Sequence, residues 1–156
     1  MVPTAAQKRA AFRALHASGC FVLPNAWDIG STRYLQSLGF KAVATTSSGF
    51  AWSVGHADNT LALETVLDHL RNVVAATHLP VNADFENGFA SDAEGVARSV
   101  RLAVDTGVAG LSIEDSTQDP NGPLLPLPVA VERMQAARRA IDEAGGDTLL
   151  IGRAEN

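Results

Sequence analysis

The segment PVNADFENGFA, Pro80 to Ala90, begins apolar and then places Asp84 and Glu86 one residue apart, just before Asn87-Gly88. A strand here would bury its first residues and carry both carboxylates at its carboxyl end. Side chains alternate along a strand, so Asp84 and Glu86 would point the same way. The same rule pairs Ser112 with Glu114, and Arg153 with Glu155. If neighbouring strands present these residues to one interior, Asp84, Glu86 and Glu114 converge opposite Arg153. Crowded, partly dehydrated carboxylates repel, and at least one takes up a proton unless a cation is present. Hard carboxylate oxygens suit Mg²⁺ or Mn²⁺, with waters and substrate oxygens completing an octahedron. No Cys/His cluster suggests zinc. Taken alone, an Asp-x-Glu at a strand end also fits a helix cap or a solvated edge. Arg153 suits bidentate contact with an anionic substrate, and equally an ion pair with Glu114 or Glu155.

A second polar stretch, TTSSGF from Thr45 to Phe50, supplies hydroxyls and backbone N–H groups with a glycine that admits close approach. Such a turn can cradle a carboxylate or a phosphate, or simply satisfy itself. His56 is expected near the site side and Trp52 along the pocket. Trp27 is expected to pack at a loop. His16, His69 and His78 fall on helix patterns or a helix end and read as surface residues. Cys20 lies in the apolar stretch GCFVLP and reads as a buried structural thiol.

These groups need elements to position them, and the chain repeats one phrase: an amphipathic helix pattern, a glycine, then a short apolar run. Helices are predicted over 4–18, 29–38, 61–77, 93–106 and 129–144, with apolar residues at helical spacing. In 61–77 the stripe is Leu63, Val66, Leu67, Leu70, Val73, Val74 and Thr77. Gly19, Gly39, Gly107 and Gly145-Gly146 follow four of these helices, where a left-handed cap favours glycine. The helix over 61–77 ends in THLP, and Pro80 opens the next strand instead. Ser91 and Glu94 have capping-box spacing. Strands alternating with helices imply βαβ units and a parallel sheet. A flavodoxin-like open sheet and a (β/α)8 barrel both satisfy the pattern. LPNAWDIG after the first run is not a Gly-rich nucleotide loop, which weakens dinucleotide binding. Ligand sites of parallel α/β sheets lie at the carboxyl ends of the strands. Every predicted strand ends in polar or charged residues: Asn25 with Asp28 behind it, Thr45 to Gly49, Asp84 with Glu86, Glu114-Asp115, and Arg153 with Glu155.

The bulk numbers narrow the partners. The 156 residues are 46% hydrophobic, enough for one domain with a core. A net charge of -5 without a basic run argues against nucleic acid and anionic membranes. The N-terminus lacks a secretory apolar core, and no stretch could span a bilayer. A soluble cytoplasmic protein acting on a small molecule is the expectation.

With these pieces assembled, the chain resembles the isocitrate lyase / phosphoenolpyruvate mutase family. LPNAWD is similar to its opening strand, and GFKAVATTSSGFAWSVGHADN to its second strand and substrate loop. ADFENGF resembles its acidic metal motif, GVAGLSIED its fourth strand with the metal-linked glutamate, and LLIGRAEN its fifth strand with the substrate arginine. The resemblance implies a TIM-type (β/α)8 barrel, of which residues 1–156 would supply the first five β/α units of a single, incomplete domain. It implies Mg²⁺ (or Mn²⁺) held largely through waters by Asp84, Glu86 and Glu114, with Asp58 nearby. Ser47, Ser48 and Gly49 would bind the carboxylate of a 2-oxo acid or enol, and Arg153 the other anionic end. Asp58, Glu114 and Arg153 form the implied catalytic set. The implied activity is making or breaking a C–C or P–C bond beside a carboxylate, through an enolate. A homotetramer is the implied assembly.

Two departures bear on the reaction. Family lyases carry a Lys-Lys-Cys-Gly-His-like segment after the fourth strand, whose cysteine moves a proton. Here that stretch is DSTQDPNGPLLPLP, proline-rich and without cysteine, lysine or histidine. It still reads as an active-site lid, but it tilts the expectation away from isocitrate-type cleavage. Second, Glu86 stands where the family motif has aspartate. The alternatives kept open are a non-catalytic remnant that binds a small carboxylate, and a 2-methylisocitrate lyase-like enzyme with a divergent lid.

Overall fold

The computed structural model describes residues 2–117, 119 and 121–155. Eleven elements alternate along it: α1 (Ala5–Leu15), β1 (Asn25–Ala26), α2 (Ile29–Ser37), β2 (Val43–Thr45), α3 (Ser47–Ser53), α4 (Leu63–Ala76), β3 (Val81–Asp84), α5 (Ala93–Asp105), β4 (Gly110–Glu114), α6 (Leu127–Glu143) and β5 (Leu149–Arg153). The five strands form one parallel sheet in the order β1-β2-β3-β4-β5. Sequential order with every neighbour parallel is the winding of a TIM-type barrel. A flavodoxin-like sheet would reverse direction at its second strand. The chain therefore supplies five consecutive β/α units of that fold. Among the described residues no helix is long and apolar enough to cross a membrane.

All five predicted helices are present, with ends shifted by at most three residues. The positive φ of Gly107, 89°, follows α5 and turns the chain into β4. The cap of α5 differs from expectation. Asp92, not Ser91, accepts the Gly95 N–H at 2.6 Å. Aspartate is as good an N-cap as serine and here sits one residue closer to the helix.

The sheet divides its side chains in two. Outward, Ala83, Leu111 and Ile113 pack with Leu67, Leu70, Val96, Val100 and Ile141 of α4, α5 and α6 in the main core. Inward, the lower layer holds Asn82, Gly110 and Leu149, whose Cα atoms share one register row. Phe12 of α1 closes this layer from below and is fully buried. Gly110 is required there. A Cβ would lie 2.6 Å from the Phe12 ring and 2.7 Å from Asn82 Oδ1. Above this row lies Asp84, level with Ser112, and above that Glu114, level with Arg153.

Three surface or burial expectations change. Cys20 is exposed; the GCFVLP run is a loop before β1, not the strand that would bury it. Trp52, expected along the pocket, is 68% exposed. His69 is buried, and completes the inner stripe of α4 with Val66, Leu67, Leu70 and Val73. Its ring stacks on Phe50 of α3, centroids 3.7 Å apart and planes 9° from parallel. Helix α3 was not expected from the sequence, so the partner that buries His69 was not expected either.

Burial holds the His69 ring neutral and pushes its pKa down from 6.5 to about 4, against a weaker opposing pull from Asp28. An unfolded chain would take up that proton near 6.5. Stability from this group is therefore complete above about pH 6.5 and is lost as the pH falls towards 4, by about 3 kcal/mol. Urea unfolding of His69→Phe should show a shallower fall over that window than the parent protein. Equal slopes would contradict the assignment.

Candidate active site

Asp84 is the last residue of β3, and three groups from β2 and α3 fix it. The Thr45 hydroxyl oxygen accepts the Asp84 N–H at 2.9 Å. Asp84 Oδ2 accepts the Ser47 N–H at 2.8 Å and the Ser47 hydroxyl at 2.9 Å. The other oxygen, Oδ1, is buried and accepts no hydrogen bond. Helix α3 can start this close because residue 49 is glycine. A Cβ there would meet the Thr46 methyl at 2.7 Å and Trp27 Cβ at 3.2 Å. Thr46 caps the helix by accepting the Gly49 N–H.

Glu114, at the end of β4, faces the same interior. Arg153 joins the two carboxylates: Nη1 lies 2.9 Å from Glu114 Oε1 and 3.7 Å from Asp84 Oδ1. Its Nε also holds Glu155 Oε1 at 2.6 Å. The carboxylates are deep, 12% and 13% exposed, while Arg153 is 51% exposed. Loss of hydration pushes the Glu114 pKa up. The Arg153 charge opposes this, and Asp84, Glu155 and Asp58 add to the rise.

Glu86 is placed differently from the alternation rule. Strand β3 ends at Asp84, Phe85 turns into the main core, and Glu86 takes a φ of 47°. The residue is buried, and its carbonyl accepts the Glu114 N–H at 2.9 Å. Glu86 therefore lies in the turn beyond β3, outside the strand whose alternation the period of two describes. Among the described residues no three His, Cys, Asp or Glu side chains are grouped to hold one ion. Asp84 and Glu114 are the pair the structure brings together. Asp58 sits in an exposed turn, near enough to act on Glu114 through its charge. His56 is likewise exposed. Ser48 and Gly49 open α3 beside Ser47, whose donors are engaged by Asp84. The part of Asp84 played by Thr45 and Ser47 was not legible as such; TTSSG signalled hydroxyls, but not which acid they serve.

The stretch after β4 is a short hairpin. Ser116 pairs with Leu124, the Thr117 N–H donates to Pro123 O, and the Leu125 N–H to Asp115 O. Gln118 and Pro120, within the expected lid, lie outside the described residues, as does Asn156 at the end of the arginine motif. Asp115 also accepts the Glu155 N–H at 2.8 Å, tying the hairpin base to the end of β5.

This sheet carries two acids and an arginine at the carboxyl ends of its strands, in the winding of a TIM-type barrel. The family model described as phosphoenolpyruvate phosphomutase matches residues 12–156, and the chain belongs to that family. A crystal structure from Burkholderia cenocepacia J2315, named by class only as a lyase/mutase, is 44% identical with a TM-score of 0.94. The match covers 97% of this chain and 55% of that one. Phosphonopyruvate hydrolase, solved in complex with oxalate and Mg²⁺, is 26% identical with a TM-score of 0.83, covering 98% of this chain and 53% of that one. The 2-methylisocitrate lyase of Escherichia coli (strain K12) is 33% identical over 110 residues, 65% of this chain and 37% of that protein. The chain spans about half the length, or less, of these relatives.

Because Arg153 favours the ionised form of Glu114, Arg153→Met should move the Glu114 titration further up. Carboxyl ¹³C NMR of Glu114 would read this directly, and an unchanged or lowered midpoint would contradict the pairing.

Proposed function

We propose that the protein is a Mg²⁺-dependent enzyme that makes or breaks a C–C or P–C bond of a small 2-oxo or phosphono acid. The observation that carries this is the Asp84–Arg153–Glu114 arrangement, with a buried Asp84 oxygen that accepts no hydrogen bond from the described residues. An orphaned carboxylate oxygen beside a second acid fits a hard divalent ion that keeps several waters. Asp84 and Glu114 would hold it, with Glu86 the third proposed ligand from the adjoining turn. Mn²⁺ would be accepted by the same oxygens. The relative that binds oxalate and Mg²⁺ supports the choice of ion and ligand class.

When bound, the ion supplies positive charge that offsets the negative charge growing on the substrate's oxygens. The remaining work falls to the chain. Thr45 and Ser47 fix Asp84, so the acid does not reorganise as the ligand enters. Ser48 and Gly49, at the start of α3, receive the substrate carboxylate, while the Ser47 donors stay on Asp84. Arg153, half exposed and already among acids, turns from Glu155 to grip the other anionic end. Glu114, whose pKa burial pushes up in the site without an ion, would give up any proton as the ion binds and serve it as a carboxylate. Asp58 tunes that proton affinity from the exposed turn. The proline-rich segment after β4 is proposed to cover the site and exclude water on closing. Its lack of a cysteine, lysine or histidine favours the non-lyase branches of the family. The five β/α units are proposed to act within a single barrel domain, assembled as a homo-oligomer.

The test is a turnover screen of oxaloacetate, phosphonopyruvate and 2-methylisocitrate with and without Mg²⁺. Turnover of one of them only with Mg²⁺ is expected. Asp84→Ala should lower kcat/KM by about 10²-fold or more, the scale of losing one electrostatic contributor, while Cys20→Ala leaves it unchanged. Full activity in Asp84→Ala removes the metal assignment. Oxalate binding without any turnover favours the alternative of a non-catalytic carboxylate binder.

A further inference from the structure

Arg133 is 3% exposed, on the second turn of α6, and far from the carboxylate pair in sequence. A guanidinium is costly to bury, and this one has no carboxylate partner among its hydrogen bonds. Its Nη2 donates to the carbonyl of Asn87 and, at 2.8 Å, to that of Ala90. Its Nε is buried without a partner. Both carbonyls belong to the loop that follows the acidic end of β3. That loop is unusual: Glu86, Gly88 and Phe89 have φ of 47°, 83° and 54°. Two of these are not glycine, and such backbone persists only when its surroundings over-determine it. Ser99 contributes a bond to the Gly88 carbonyl, and Phe89 packs edge-on to Phe85 with centroids 5.0 Å apart. The loop is also tied to β4, because the Glu86 carbonyl accepts the Glu114 N–H.

We propose that Arg133 is a positioning residue: by bridging the Asn87 and Ala90 carbonyls it fixes the left-handed turn at Glu86 and, through the Glu86 carbonyl, the backbone that presents Glu114. The link runs from α6 to both acidic strand ends. Helix α6 begins directly after the proline-rich hairpin, so the same arginine connects the segment at the mouth with the turn behind the acids. The consequence for ion binding rests on the function proposed above; the consequence for the turn does not.

The test compares the parent protein with Arg133→Ala, Arg133→Lys and Ala140→Gly. Ala140 is buried on α6, two turns further along and away from the loop, so its variant lowers stability without touching the turn. Mn²⁺ affinity is read by electron paramagnetic resonance, and amide exchange by NMR at Gly88, Phe89, Ala90 and Glu114. Arg133→Ala should weaken Mn²⁺ by about 10- to 100-fold, the range for residues that orient metal ligands. It should speed exchange at those amides selectively, and added guanidinium ion should reverse both effects. Arg133→Lys, which keeps a cation in place, should fall between. Ala140→Gly should leave Mn²⁺ affinity and those amides at parent values. If Arg133→Ala does not fold, Arg133→Lys against Ala140→Gly gives the same comparison. Unchanged exchange at the loop in either arginine variant, or equal change in Ala140→Gly, overturns the proposal. Absence of Mn²⁺ binding by the parent protein would count against the proposed function, and the exchange comparison would still decide the role of Arg133.

Discussion

The structure depends on how two buried acids are tolerated at the ends of adjacent-facing strands. Asp84 and Glu114 are nearly out of water, and the Asp84 charge adds to the cost of charging Glu114. Arg153 meets part of that cost, reaching Glu114 closely and Asp84 at longer range. The half-exposed arginine is a screened partner, and Asp84 Oδ1 accepts no hydrogen bond from the described residues. A site with this imbalance is prepared for additional positive charge, which is the physical basis for placing a divalent ion and an anionic substrate there.

Backbone register does most of the positioning. Asp84 pairs with Ser112 and Glu114 with Arg153, so the acid, the acid and the arginine rise in steps up one interior face. The layer below is filled by Phe12 and closed around Gly110. Around the rim, each acid is held by something other than its own strand. Ser47 of α3 holds the Asp84 carboxylate, and Arg133 of α6 and the Glu114 amide hold the turn at Glu86. The rim is therefore rigid where the acids sit and polar where a ligand would enter.

Much of this was legible in the sequence because it follows from period. The helical stripes and the glycines behind them located five helices, and the alternation within LSIE and LIGR placed Glu114 with Ser112 and Arg153 on the inner face. The period failed where the backbone leaves the strand. Glu86 sits at a positive φ beyond the end of β3, which no spacing rule reveals. Helix α3 was hidden because seven residues are too few to show a stripe, and that concealed both the Ser47–Asp84 contact and the burial of His69. Cys20 was misplaced because an apolar run was taken for a strand, when only Asn25–Ala26 pair. Arg133 carries no local signal at all. A charged residue on an amphipathic helix reads as surface until the loop it clamps is known.

The most direct test of the central claim is a crystal structure of the protein grown with Mn²⁺ and oxalate, with the ion located by its anomalous scattering. The account predicts an ion between Asp84 and Glu114, bound directly or through water, with Arg153 turned towards the oxalate. An ion bound elsewhere, or none while Arg153 stays on Glu114, would contradict it.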